Sequence, residues 1–146
     1  MEKADLKMMV GRREYVSFPQ FDIRNVVAKI DSGAYNGCIH ADIIGEVEKD
    51  GKKFLQFSLL DTSHPEYKGV VHETPDYTKK RVRDANGVTS PRYIIKTPLV
   101  IGSREMHIKI GLNNRTNMHN PVLIGRVVLS SNFLVDASKE FLAGKI

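Results

Sequence analysis

The apolar run Val26-Val27-Ala28-Lys29-Ile30 stops at Asp31-Ser32-Gly33-Ala34. A strand that delivers a carboxylate, then a hydroxyl, then a glycine can serve acid–base chemistry. Backbone N–H groups around a glycine turn can fix the carboxylate, and the hydroxyl beside it can orient it. Taken alone, the tripeptide is more often an ordinary turn, because Asp, Ser and Gly are all turn formers. A second segment bears on it: Pro121-Val122-Leu123-Ile124-Gly125-Arg126, then Val127-Val128-Leu129, puts two apolar residues, a glycine and an arginine ahead of a short apolar stretch.

The elements that must position these residues read mostly as strands. Cys38 to Ile44 alternates in part, and Phe54 to Leu60 follows the turn signal Asp50-Gly51, so the two predict a hairpin. Tyr93 to Ile101 and Met106 to Ile110 flank Gly102-Ser103, a second hairpin. Asn86-Gly87 is a tight-turn dipeptide, since both residues tolerate positive φ. Val122-Leu123-Ile124 reads as a buried strand, and Arg126 to about Ser131 as a short helix. The polar stretch from Asp61 to Tyr77, with Pro65, Gly69 and Pro75, reads as the longest loop. The expected class is all-β, a closed barrel or sandwich with one short C-terminal helix.

The 146 residues are one domain's worth, 1–146, with ordinary globular composition: 41% hydrophobic and 27% charged. No apolar window is long enough for a membrane span, and Met1-Glu2-Lys3-Ala4-Asp5 has no signal-peptide character, so a cytoplasmic home is expected. Cys38 is the single cysteine, which rules out an intrachain disulfide. The net charge of +5 is concentrated in part at Lys79, Lys80, Arg81 and Arg83, which suggests an acidic partner. Nucleic acid is the weaker choice, because Tyr77 and Tyr93 are the only aromatics near that cluster and no stacking platform is evident.

The order apolar strand, Asp31-Ser32-Gly33-Ala34, intervening hairpin, Leu123-Ile124-Gly125-Arg126 resembles the retropepsin-like aspartic proteases. More narrowly, six separated segments resemble the RimB-like family, named for ATP-dependent zinc proteases. They are Gly11 to Val16, Ala28 to Ala34, Ile39-His40-Ala41, Ile95 to Leu99, Asn114 to Met118 and Phe133 to Asp136. The resemblance implies a retropepsin-like fold with Asp31, Ser32 and Gly33 catalytic, and with Leu123, Ile124, Gly125 and Arg126 as its structural counterpart. It also implies a functional link to RimK-like ATP-grasp ligases, which add glutamates to protein C-termini, and so the trimming of glutamate-rich tails. Tyr35 departs from the retroviral pattern, which often has an aspartate there to pair with the arginine; Arg126 needs another partner.

The family label is not carried by the residues. H-E-x-x-H is absent, and Cys38, His40, His64, His72, His107 and His119 are scattered, so no metal is expected. No phosphate loop G-x-x-x-x-G-K-[ST] occurs, so no nucleotide cofactor is expected either. Aspartic chemistry needs two facing carboxyl groups that share a proton. One Asp-Ser-Gly per chain therefore implies a homodimer with the site on its two-fold axis. By order, the flap is the hairpin Arg83 to Val88. Ala34, Asn86, Gly87, Lys80 and Arg81 are the expected substrate contacts. The alternative is a catalytically silent peptide-binding module on the same fold.

Overall fold

The computed structural model describes residues 6–83, 85–115 and 119–146. Met1 to Asp5, Asp84 of the expected flap and Thr116-Asn117-Met118 of the Asn114 segment lie outside the described residues. The strands are β1 (Met8–Val10), β2 (Arg13–Phe18), β3 (Ile23–Ile30), β4 (Gly37–Lys49), β5 (Lys52–Leu59), β6 (His72–Thr74), β7 (Tyr77–Arg83), β8 (Thr89–Ile101), β9 (Arg104–Asn113), β10 (Val122–Ile124) and β11 (Phe133–Val135). Among the described residues, one α-helix, α1 (Arg126–Asn132), follows β10, as the short apolar stretch predicts, and a 3-10 turn spans Pro19–Phe21.

Six strands close into a barrel in the order β10-β3-β2-β8-β9-β4, with β4 returning to β10. Closure leaves the barrel wall no open edge. Side chains alternate as a closed barrel demands. On β8, Tyr93, Ile95, Thr97, Leu99 and Ile101 are buried, while Arg92, Ile94 and Lys96 face outward. The buried apolar residues of all the barrel strands, with Leu55 and Phe57 of β5 and Val128 and Leu129 of α1, form one cluster.

The expected hairpins form. Asp50 and Gly51 both take positive φ, 52° and 76°, between β4 and β5. Gly102 at φ 59° joins β8 to β9, and Gly87 at φ 80° lies in the turn between β7 and β8. The stretch Asp61 to Tyr77 is less of a loop than its Pro and Gly suggest. It contains β6, which pairs with β5 through Leu55↔Thr74, Gln56↔Glu73 and Phe57↔His72, and it ends on the first residue of β7. Pairing on β5 and packing of the His72 ring against Phe21 and Phe57 outweigh local turn chemistry there. A parallel pair of short strands, β1 and β11, joins the two ends of the chain.

Candidate functional site

The Asp31 loop leaves the barrel where β10 is inserted between two other strands. β10 runs parallel to β3, with Ile124 opposite Ile30, and antiparallel to β4, with Leu123 opposite Cys38. The ladder continues one step past β3, because the Asp31 N–H donates to the Ile124 carbonyl at 2.9 Å. The two segments singled out in the sequence thus meet backbone to backbone. Gly33 N–H donates to Asp31 Oδ1 at 3.0 Å, and Ala34 N–H to the Asp31 carbonyl at 3.2 Å. The carboxylate is therefore held by the glycine turn, as its position before Ser-Gly anticipates. Lys29 Nζ stands 3.8 Å from Oδ2, and the side chain is 27% exposed.

Arg126 finds its partners in the loop itself. Its Nη1 donates to the carbonyls of Ser32 and Gly33, both at 3.2 Å, and its guanidinium lies over the Tyr35 ring at 5.6 Å. An arginine on an aromatic face plus two carbonyls replaces an ion pair. The α1 backbone reinforces this: Arg126 N–H donates to Ala34 O at 2.7 Å and Val127 N–H to Tyr35 O at 3.1 Å. Gly125 is required by close approach. A Cβ there would stand 2.7 Å from Tyr35 O and 2.9 Å from Ala34 O, distances that real side chains do not tolerate.

The other expected contacts lie on the β7–β8 hairpin, with Asn86 and Gly87 between the two strands. Lys80 lines a cavity of about 300 Å3 together with Asn36, Gly37, Arg92 and Lys109, among others. Arg81, on the opposite face of β7, is exposed and does not line it. Lys79 is already engaged: it pairs with Glu46 at 3.2 Å and sits over the Tyr93 ring. Tyr77 donates to the same Glu46 at 2.7 Å. These hydrogen bonds hold the Glu46 carboxyl below its ordinary value, and the same bond pushes the Tyr77 hydroxyl up to about 12.

Two of the candidate metal ligands, His40 and Cys38, are committed to other partners. His40 is buried, its Nδ1 accepts the Arg115 N–H at 2.7 Å, and its Nε2 faces Asp61 Oδ2 at 2.9 Å. Arg115 also donates from Nε to Asn120 O and from Nη1 to Cys38 Sγ, so it ties the segment after β9 to β4. Among the described residues, no three His, Cys, Asp or Glu side chains converge to hold a metal ion. The donor set does not fit the zinc that the family label implies. The sequence reading missed Asp61 as the partner of His40, and Arg92 and Lys109 as neighbours of Lys80. Strand pairing is what brings the last three together.

A closed six-stranded barrel whose Asp-Ser-Gly loop is tied to an apolar-apolar-Gly-Arg segment defines a retropepsin-like protein. More narrowly, residues 9–146 match the family described as RimB-like, Retropepsin-like aspartic endopeptidase RimB, and the chain belongs to that family. A probable alpha-L-glutamate ligase of Shewanella pealeana is 28% identical over 142 residues, 97% of this chain but 31% of the ligase. One from Parasynechococcus marenigrum is 30% identical over 130 residues, 89% of this chain and 28% of that protein. The chain thus spans about a third of the length of the curated relatives it matches. A crystal structure of a Legionella pneumophila protein of unknown function aligns with a TM-score of 0.74 at 25% identity, covering 94% of this chain and 99% of that one.

Proposed function

We propose that this chain, 1–146 working as one retropepsin-like domain, is half of a homodimeric aspartic peptidase that trims glutamate-rich protein tails in the cytoplasm. The observation that carries the reading is Asp31: a partly exposed carboxylate at the end of a barrel strand, fixed by Gly33 N–H, with one such loop per chain. Two copies brought together on a two-fold axis would place two Asp31 carboxyls face to face. One of them would be ionised and the other protonated, because like charges that close do not both ionise. The ionised carboxylate takes a proton from water as the water oxygen attacks the scissile carbonyl carbon. The protonated carboxyl gives its proton to the carbonyl oxygen. Collapse of the tetrahedral diol then breaks the C–N bond, and the departing nitrogen takes up a proton. Ser32, Gly33 and the Arg126 contacts hold the loop in place for this chemistry.

Family membership supports the peptidase class. The glutamate ligase relatives support the tail substrate and a working link to a RimK-like ligase, since a segment similar to this chain is part of proteins so named. Sedimentation of the wild type and Asp31→Asn, with a glutamate-tailed peptide assay on the same samples, tests the reading. A dimer that cleaves the peptide and loses activity in Asp31→Asn is the expected result. A monomer at every concentration removes the two-copy site and leaves a peptide-binding module.

A further inference from the structure

Lys80, Arg92 and Lys109 come from three neighbouring strands, β8 and β9 of the wall and β7 paired to β8. Lys80 is directly opposite Arg92, and Lys109 directly opposite Lys96. All four project to the outer face, and no ion pair among the described residues engages any of them. Like charges directly opposite one another on a sheet are destabilising, so a cluster without counter-charge is not a neutral choice for the fold. Lys49 and Lys79, on other parts of the same sheets, each hold a carboxylate. The contrast separates this face from an ordinary solvated one.

The shape is also particular. Gly111 lies between Ile94 and Cys38 in the strand ladder and presents no side chain, so the long residues around it border a depression of about 300 Å3. Among the described residues, no Asp or Glu lines it. Arg92 Nη1 donates to Asn113 Oδ1 at 3.1 Å, which fixes the guanidinium at the rim. One wall is Asn36 and Gly37, which continue directly from the Asp31 to Tyr35 loop; another is Lys80 and Val82 of the β7–β8 hairpin. Along the chain, only Ser32 to Tyr35 separate Asp31 from that wall.

We infer that this cavity is the specificity subsite of the proposed peptidase, and that Lys80, Arg92 and Lys109 seat an acidic side chain of the substrate beside the scissile bond. The inference rests on the reading of Asp31 as catalytic only for what happens to the bound peptide. It relocates recognition from the contiguous run Lys79 to Arg83, where Lys79 is neutralised by Glu46, to residues that are scattered in sequence.

The test measures binding on the full chain carrying Asp31→Asn, so that no cleavage intervenes. Fluorescent peptides ending in a run of glutamates, or in the isosteric glutamines, are titrated at low and high salt. The glutamate peptide is expected to bind more tightly, with the difference shrinking as salt screens it. Adding Arg92→Gln and Lys109→Gln together is expected to weaken the glutamate peptide about tenfold and leave the glutamine peptide unchanged, as expected for loss of charge-assisted hydrogen bonds. Lys79→Gln is expected to change neither. Equal binding of the two peptides, or an equal loss in Lys79→Gln, overturns the cavity assignment, while cleavage by the wild type continues to support the peptidase reading. Equally tight binding of a single-stranded oligonucleotide that depends on the same residues also overturns it. Glutamate selectivity that depends on Arg92 and Lys109 in a chain whose Asp31 form cleaves nothing upholds the subsite and removes the peptidase.

Discussion

Glu14 and Asp31 are both carboxylates set by the barrel, and the fold holds them in opposite ways. Glu14, on β2, has no exposed surface. Its Oε2 accepts the N–H groups of Gly11 at 2.7 Å and Leu142 at 2.8 Å, and its Oε1 accepts that of Ala143 at 3.0 Å. It clasps the C-terminal segment to the turn before β2. Arg12 and Arg13 reinforce the clasp through Glu140. Asp31 accepts one backbone N–H, on Oδ1, and its side chain is 27% exposed, with Lys29 Nζ 3.8 Å from Oδ2. A buried charge is tolerable when its lone pairs are filled. A carboxylate that must bind water and face a second carboxyl has to keep some of them open. The number of N–H groups aimed at each group separates a structural clasp from a carboxylate left open, as the proposed proton transfer requires.

The comparison predicts that substitution separates activity from stability. Asp31→Asn keeps an acceptor for Gly33 N–H but cannot exchange a proton, so kcat should fall by about 10³-fold or more while thermal unfolding is unchanged. Glu14→Ala should do the reverse. It leaves three backbone N–H groups without their acceptor, at a cost of about 3 kcal/mol or more, lowering the melting temperature by about 10 °C. Activity per folded molecule should persist. Calorimetry and initial rates on both variants check this, and a stable, inactive Glu14→Ala would break the distinction.

Gly125→Ala sharpens it at the junction of the two segments. The added methyl would press on the carbonyls of Ala34 and Tyr35, and so on the loop that carries Asp31. Overpacking at this level costs about 1–3 kcal/mol. Because the strain falls on the site, the rate should drop more than that loss of stability explains. A melting shift with an unchanged rate would show that the α1 contact does not position Asp31.

Much of the site was legible because its signals are local. Asp31-Ser32-Gly33 encodes its own turn, and Leu123-Ile124-Gly125-Arg126 encodes a buried strand, a close approach and a helix start. The hairpins at Asp50-Gly51 and Gly102-Ser103 were legible for the same reason, since Asp50, Gly51 and Gly102 all take positive φ. Glu14 was not, because its partners Leu142 and Ala143 lie at the far end of the chain and only the folded barrel brings them together. Arg126 was expected to lack a carboxylate at position 35, but its use of two carbonyls and a tyrosine face depends on loop geometry. β6 was hidden because Pro65, Gly69 and Pro75 dominate its neighbourhood, whereas its existence depends on pairing with β5.

The smallest expected effect is on pH, and it concerns surface carboxyls held by side-chain hydrogen bonds. Hydrogen bonds from Ser63 to Asp61, Gln56 to Glu73, Ser138 to Asp136 and Tyr77 to Glu46 hold these carboxyls below their ordinary values of 3.8 and 4.5. Their stabilisation is complete above those values and is lost as pH falls through the lower values of the folded chain. His72 acts earlier. Burial beside Phe21 and Phe57 lowers its pKa from 6.5, so the unfolded chain takes up that proton first and stability begins to fall as pH drops below 6.5. Melting temperature against pH should therefore decline in two stages. His72→Phe, which keeps a ring between the two phenylalanines, should remove the upper stage and leave the lower one. An upper stage that survives in His72→Phe would assign it to another group and leave His72 as packing alone.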